Sequence, residues 1–266
     1  MTGLLELVPA GLPLAVLLDY DGTLVAIRKR PELARLHPGR KALLARLGRR
    51  TLVGLVSGRP LDELRRMVGV AGIAYVGNHG MEIRVNGRVW VHPPAARLAH
   101  RLARTTSVIR ARAGDLQGVL VEDKGLTASA HYRLASPRHR GLLRAIVAEE
   151  VFRSRGALVL TQGKMVLEIR PNTVWDKGRG VLKLMSLAGC SKACFPVYIG
   201  DDRTDEDAFR VLAGRGLTIH VGRSRRTQAR SRLRSVDEVW RFLAGLEKRL
   251  GLSFRPTPGP GSGRGG

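Results

Sequence analysis

Continuous apolar runs and helically spaced apolar positions alternate along the first third of the chain. Leu14–Leu18 is unbroken apolar sequence, as expected of a strand buried on both faces. In the next stretch, residues 31–50, Leu33, Leu36, Leu43, Leu44 and Leu47 recur at near-helical spacing, with a turn expected at His37-Pro38-Gly39. Leu52–Val56 repeats the buried-strand pattern and ends at Ser57-Gly58-Arg59-Pro60. The proline then favours a helix start at Leu61. A short strand, Ile73–Val76, runs into Gly77-Asn78-His79-Gly80. Residues Met81–Trp90 then alternate around Asn86-Gly87, a strong hairpin signal.

The pattern changes at Pro93-Pro94. A helix is expected over Ala95–Arg112, strands over Gly118–Lys124 and Leu126–Arg133, and a helix from Ser136-Pro137 to Arg153. Two further strands follow, Ala157–Thr161 and Lys164–Arg170, separated by Gln162-Gly163; Pro171 closes the block. Within the second strand, alternation puts Lys164, Glu168 and Arg170 on one face and Met165, Leu167 and Ile169 on the other. The first pattern resumes with a helix from Asp176-Lys177-Gly178 to Ala188 and a strand Val197–Ile199 ending at Gly200-Asp201-Asp202. Thr204 is the expected N-cap of the next helix. A strand Leu217–Val221, a basic segment and a helix Val236–Leu250 complete the pattern.

Strands alternating with helices imply an α/β fold with a parallel sheet flanked by helices. The expected organisation is a core from 1–92 and 172–255, an inserted α+β domain at 93–171, and a disordered Pro/Gly-rich tail at 256–266. Apolar residues make up 44% of 266, enough for a sizeable core. The apolar run at the N-terminus stops at Asp19 and lacks a basic leader, so neither a signal peptide nor a membrane span is expected. Cys190 and Cys194 are too few for a disulfide framework or a zinc site. They read as two buried thiols on one helix face, in a reducing, cytoplasmic setting. The net charge of +24 attracts anions, yet aromatics are only 5%, leaving little to stack on bases. An arginine-rich solvated surface is therefore preferred over a nucleic-acid-binding one. Oligomeric state is not legible.

In parallel sheets the site lies beyond the carboxyl ends of the strands. Four stations sit there or at a helix start: Asp19 and Asp21, Ser57, Lys177, and Asp201 with Asp202. Two carboxylates two residues apart at a strand end can point to one side. An Asp in such a place can act as nucleophile and a second as acid or base. Each station alone has an ordinary explanation: an acidic turn, a turn hydroxyl, a solvated lysine, acids favouring a helix N-terminus.

Together, and in this order, Asp19-Tyr20-Asp21-Gly22-Thr23, Ser57, Lys177 and Gly200-Asp201-Asp202 resemble the four motifs of the haloacid dehalogenase-like (HAD) phosphohydrolases. That resemblance implies a Rossmann-like core with an inserted cap. It also implies Mg2+ held by the carboxylates of Asp19 and Asp201 and the backbone carbonyl of Asp21, with Asp202 and Asp205 behind them. It makes Asp19 the nucleophile that forms an aspartyl-phosphate, Asp21 the acid and base, Ser57 a donor to a phosphoryl oxygen, and Lys177 the charge-balancing cation.

Gly77-Asn78-His79-Gly80, Val121–Gly125, His131-Tyr132-Arg133, Gly163-Lys164, Glu168–Pro171, Trp175–Gly178 and Gly200–Phe209 narrow the resemblance to the trehalose-6-phosphate phosphatases, over about Val16–Leu246. The implied substrate is trehalose 6-phosphate, bound through Glu122, Lys124, His131, Arg133, Lys164 and Glu168, with Asn78 and Arg59 as further candidates from the core. Carboxylates and cations suit sugar hydroxyls. Related sugar phosphates (sucrose-, glucosylglycerol- or mannosylglycerate-type) remain alternatives, as does a basic nucleic-acid-binding protein on an inactive scaffold. The intact Asp19, Asp21, Lys177 and Asp201 argue against the last. The tail beyond Gly251 and the heavy arginine content are not features of the family.

Overall fold

A computed structural model describes residues 2–27, 33–163, 165–224 and 226–253. The expected disordered tail and Lys164 therefore lie outside the described residues.

The core is one eight-stranded sheet. Its strands are β1 (Leu14–Asp19), β2 (Leu52–Val56), β3 (Ala74–Gly77), β4 (Glu82–Val85), β5 (Arg88–Val91), and, beyond the insertion, β10 (Phe195–Gly200), β11 (Leu217–Val221) and β12 (Ser231–Leu233). Their order is β12-β11-β10-β1-β2-β3-β4-β5. The first six in that order are parallel, and β4 and β5 extend the edge beyond β3 antiparallel. The sheet is therefore mixed. Asn86 and Gly87 both have positive φ, as the tight β4–β5 hairpin requires.

Central β1 is buried along its whole length. Its even-numbered side chains pack with Leu44, Leu47, Leu243 and Leu246 on one face, and Ala15 and Leu17 with Val181, Leu184 and Phe209 on the other. Each such aliphatic side chain contributes about 1.5–3 kcal/mol on burial. The flanking helices are α1 (Thr2–Glu6), α2 (Pro38–Gly48), α3 (Leu61–Val68), α6 (Lys177–Leu187), α7 (Asp205–Leu212) and α8 (Val236–Ser253).

The insertion carries α4 (Pro93–Arg112), β6 (Leu120–Asp123), β7 (Ala128–His131), α5 (Pro137–Arg153), β8 (Leu158–Gly163) and β9 (Val166–Pro171). The strands form an antiparallel sheet, β6-β7-β9-β8. Leu102, Ile109, Leu143 and Val147 of the helices cover one face, against Ala128, Ala130, Leu167 and Ile169. The alternation expected around Glu168 holds: Leu167 and Ile169 are buried, while Glu168 and Arg170 lie half-buried on the opposite face.

Several expectations need correction. The turn expected at His37–Gly39 is a helix start, with the His37 ring accepting the Gly39 N–H. The β8–β9 turn lies beyond Gly163 and not at Gln162-Gly163, so Met165, with φ 65°, belongs to the turn and not to the strand. Thr204 stands at the N-cap position of α7 as expected, but its side chain makes no capping hydrogen bond. Cys190 and Cys194 are not two thiols on a helix face: α6 ends at Leu187, the loop beyond it brings their Cα atoms to 5.2 Å, and their sulfurs are bonded. No described helix is long and apolar enough to cross a membrane.

Candidate active site

The carboxyl ends of β1, β2 and β10 and the start of α6 meet at one point. Asp19 is the last residue of β1 and only 5% exposed. Its Oδ1 accepts from Lys177 Nζ at 2.5 Å, and the same ammonium donates to Asp205 Oδ1 at 2.6 Å. Lys177 reaches both because it is the first residue of α6, capped by Asp176, whose carboxylate accepts the Arg179 N–H. A buried lysine so paired is stable only because two carboxylates compensate its desolvation. Burial alone would lower its pKa; Asp19 and Asp205 more than reverse that, and the proton is held firmly.

Asp205 is fully buried and fully engaged. Oδ1 accepts from Lys177 and from the Tyr198 hydroxyl (2.7 Å), and Oδ2 accepts the N–H groups of Asp201 and Asp202, both at 2.9 Å. Asp205 thus shapes the Asp201 loop. Tyr198 carries no signal in the sequence beyond being an aromatic in a buried strand. Asp202 is exposed and its carboxylate accepts the neighbouring Arg203 N–H.

Oxygen atoms of Asp19, Asp201 and Asp205 lie within 4.8 Å of one another. Three carboxylates face one ammonium, and burial with the Asp205 charge pushes Asp201 up to about 7. Burial, reinforced by Asp205 and Asp201 and opposed by Lys177, likewise pushes Asp19 well above the usual carboxylate range. Asp19 Oδ2 is buried without a partner. A hard divalent cation fits such a set: it prefers oxygen ligands and removes the excess negative charge. Gly22 makes the cluster possible. Its φ is +95°, and a Cβ there would lie 2.1 Å from Asp201 Oδ2.

Ser57, on the loop after β2, is 2% exposed; its Oγ accepts the Arg59 N–H at 3.2 Å and its carbonyl accepts the His79 N–H. Arg59 forms a bidentate pair with Asp21, at 2.7 and 2.8 Å, and also binds Glu63. Asp19 and Asp21 thus have different partners, Lys177 and Arg59. The chain leaves β1 at Asp19, and Asp21 already belongs to a turn closed by Gly22 N–H to Val25 C=O. Asn78 is fully buried, bonded to Glu82, Lys124 and Thr127.

The face of the inserted sheet opposite its helices carries the other candidates. Glu122, Ser129 and Glu168 are in register across β6, β7 and β9. Ser129 donates to Glu168 Oε1 at 2.9 Å; Lys124 Nζ lies 3.9 Å from both Glu122 and Glu168; His131 Nε2 is 3.4 Å from Glu122. The His131 contact leads in holding Glu122 below its ordinary range, and Arg59 of the core contributes at longer range. Glu168 Oε2 is buried without a partner. Arg133 is outside this group, exposed in the turn after β7. His79, missed as a candidate, lies under the same face: burial first, then Arg170, Lys177 and Lys124, lower its pKa well below the ordinary range.

A family model for trehalose-phosphatase matches residues 17–237. The chain belongs to the trehalose-phosphatase family. It is 33% identical to a probable trehalose-phosphate phosphatase D of Arabidopsis thaliana, over 92% of this chain and 70% of that protein. To the trehalose-phosphate phosphatase of Mycobacterium tuberculosis it is 35% identical, over 89% of this chain and 62% of the relative. It thus spans roughly two-thirds of the length of these relatives. The crystal structure of a trehalose-6-phosphate phosphatase related protein superposes with a TM-score of 0.79 at 27% identity, covering 91% of this chain and all of that one. A haloacid dehalogenase-like hydrolase from Bacteroides thetaiotaomicron, at 17% identity and a TM-score of 0.58 over 91% of this chain and all of that one, shares the fold. The match to the family model spans both core segments and the insertion, so the inserted α+β domain is the cap of this family's fold.

Proposed function

We propose that the protein hydrolyses trehalose 6-phosphate to trehalose and phosphate through an aspartyl-phosphate on Asp19. The observation that carries this is a buried nucleophile candidate, Asp19, with one oxygen fixed by Lys177 and the other unpaired. A carboxylate fixed at one oxygen can present the other to phosphorus with little reorientation. Lys177 balances the charge on Asp19 and the incoming phosphoryl group, and the Ser57 hydroxyl donates to a phosphoryl oxygen. Asp19, Asp201 and the Asp21 carbonyl would hold Mg2+, which supplies positive charge against the phosphate dianion. Asp21 protonates the leaving alcohol and then takes a proton from the attacking water. For this it must first leave its bidentate pair with Arg59.

Trehalose is recognised, in this reading, by Glu122, Lys124, His131 and Glu168. The unpaired Glu168 Oε2 is an acceptor suited to a sugar hydroxyl. Charge keeps phosphorylated sugars inside cells, so a cytoplasmic setting accompanies this substrate.

The test is phosphate release from a panel of disaccharide and monosaccharide phosphates, after chelation and after adding Mg2+ back. Trehalose 6-phosphate should be turned over with the highest kcat/KM, activity should vanish on chelation, and Mg2+ should restore it. A higher kcat/KM for a sucrose- or glucosylglycerol-type phosphate would overturn the substrate. Full turnover after exhaustive chelation would overturn the metal.

A further inference from the structure

Asn78 stands between the two halves of the site. It follows β3 in a short 3-10 turn, is 0% exposed, and has φ 47°, a conformation that asparagine tolerates better than most residues. On the cap side its Nδ2 donates to the Lys124 carbonyl at 3.0 Å, and its Oδ1 accepts from the Thr127 hydroxyl at 2.8 Å. Lys124 and Thr127 close one tight turn, Lys124 N–H to Thr127 C=O, 2.9 Å. On the core side Nδ2 also donates to Glu82 Oε2 at 2.6 Å, and the Asn78 N–H donates to the Arg59 carbonyl at 2.8 Å. Glu82 Oε2 in turn accepts the Leu61 N–H, at the start of the helix that follows Arg59.

Both amide donors are thus used, and the acceptor oxygen is taken by Thr127. A side chain in this state has no donor left for a sugar. Only an amide can donate in two directions and accept in a third at this position; a carboxylate has no donor to give. The groups that it joins are those that matter: the loop holding Ser57 and Arg59 on one side, and the turn that aims Lys124 at Glu122 and Glu168 on the other. Buried networks with every member satisfied fix one arrangement.

We propose that Asn78 is a positioning residue that clamps the cap turn 124–127 to the core loop 57–61 and so sets where the disaccharide sits relative to Asp19, without touching the sugar. The proposal rests on the substrate reading above only in naming the sugar; the clamp itself has a test without substrate. Thr127→Val keeps the shape of Thr127 and removes its donor, and Thr127 belongs to no group assigned to catalysis or sugar binding. In Thr127→Val the amides of residues 124–127 should exchange with deuterium about five- to tenfold faster, since a buried hydrogen bond of ~1–1.5 kcal/mol is lost. KM for trehalose 6-phosphate should rise about five- to tenfold, with kcat/KM for p-nitrophenyl phosphate within about twofold of wild type. Thr127→Ser, which keeps the hydroxyl, should restore both readouts. Asn78→Ala with Thr127→Val should be no worse than Asn78→Ala alone, because the two share one interaction. Unchanged exchange in Thr127→Val would overturn the clamp. So would additive losses in the double variant, or a loss confined to Asn78→Ala, which would put Asn78 on the sugar. A wild-type enzyme inactive on trehalose 6-phosphate refutes the substrate instead, and leaves the exchange result standing.

Discussion

Removing the Glu168 carboxylate separates recognition from chemistry. Glu168 touches no group assigned to the phosphate. Oε1 holds Ser129, Oε2 is buried and unpaired, and Lys124 lies 3.9 Å away. In Glu168→Ala, Lys124 keeps Glu122 at the same 3.9 Å, so no buried cation is stranded. What is lost is an ionised acceptor for a sugar hydroxyl. Such charge-assisted hydrogen bonds are worth about 1.5–3 kcal/mol, or roughly ten- to a hundredfold in kcat/KM. The assay is kcat/KM for trehalose 6-phosphate and for p-nitrophenyl phosphate, in wild type and variant, with a melting curve for each. The first should fall by that factor, and the second should stay within about twofold because that substrate makes no sugar contacts. Equal losses on both substrates would mean that β9 serves folding or closure. No loss on either would mean that the polar sheet face is merely solvated.

Two further outcomes follow from the core. Asp19→Asn should abolish turnover, an amide being a poor nucleophile and a poor metal ligand, while the fold persists because Lys177 keeps Asp205; retained burst-phase phosphorylation of the variant would refute the covalent role. Gly22→Ala should cost about 1–2 kcal/mol of stability through its left-handed backbone. It should also displace the Asp201 carboxylate, raising the Mg2+ concentration for half-maximal activity at least about tenfold; an unchanged metal requirement would show that Asp201 is not a ligand.

The chemistry at the strand ends was legible because the buried strands are continuous apolar runs. Asp19, Ser57 and Asp201 each fall where such a run stops, and those stops point to one edge of a parallel sheet. Lys177 was legible as a helix start. What could not be read were partnerships across sequence. Arg59 and Asp21 are 38 residues apart, and nothing local to either says that one occupies the other. Tyr198 was visible only as a strand aromatic, and Asn78 only as a candidate for the sugar, because their hydrogen bonds to Asp205 and to the cap turn cross the sequence. Strand β12 was hidden for another reason: as a short, polar edge strand it buries too little to show periodicity. The Cys190–Cys194 bond was misjudged because a four-residue spacing was read as helical although α6 ends at Leu187, before either cysteine.

Two segments join cap and core. His92 stands at the outgoing crossing and Trp175 at the returning one, and their rings stack with centroids 4.2 Å apart. Trp175 is further tied to the core through Nε1 to the Gly80 carbonyl, and Arg170 of the cap donates to the Trp175 carbonyl. The insertion therefore leaves and re-enters through a single doorway. A piece of chain attached in this way is a cassette: it can be lengthened, replaced or traded for another at that doorway while the sheet beneath keeps its own hydrogen bonds and its own core. One hydrolytic engine can thereby acquire a new diet through changes confined to the piece above it.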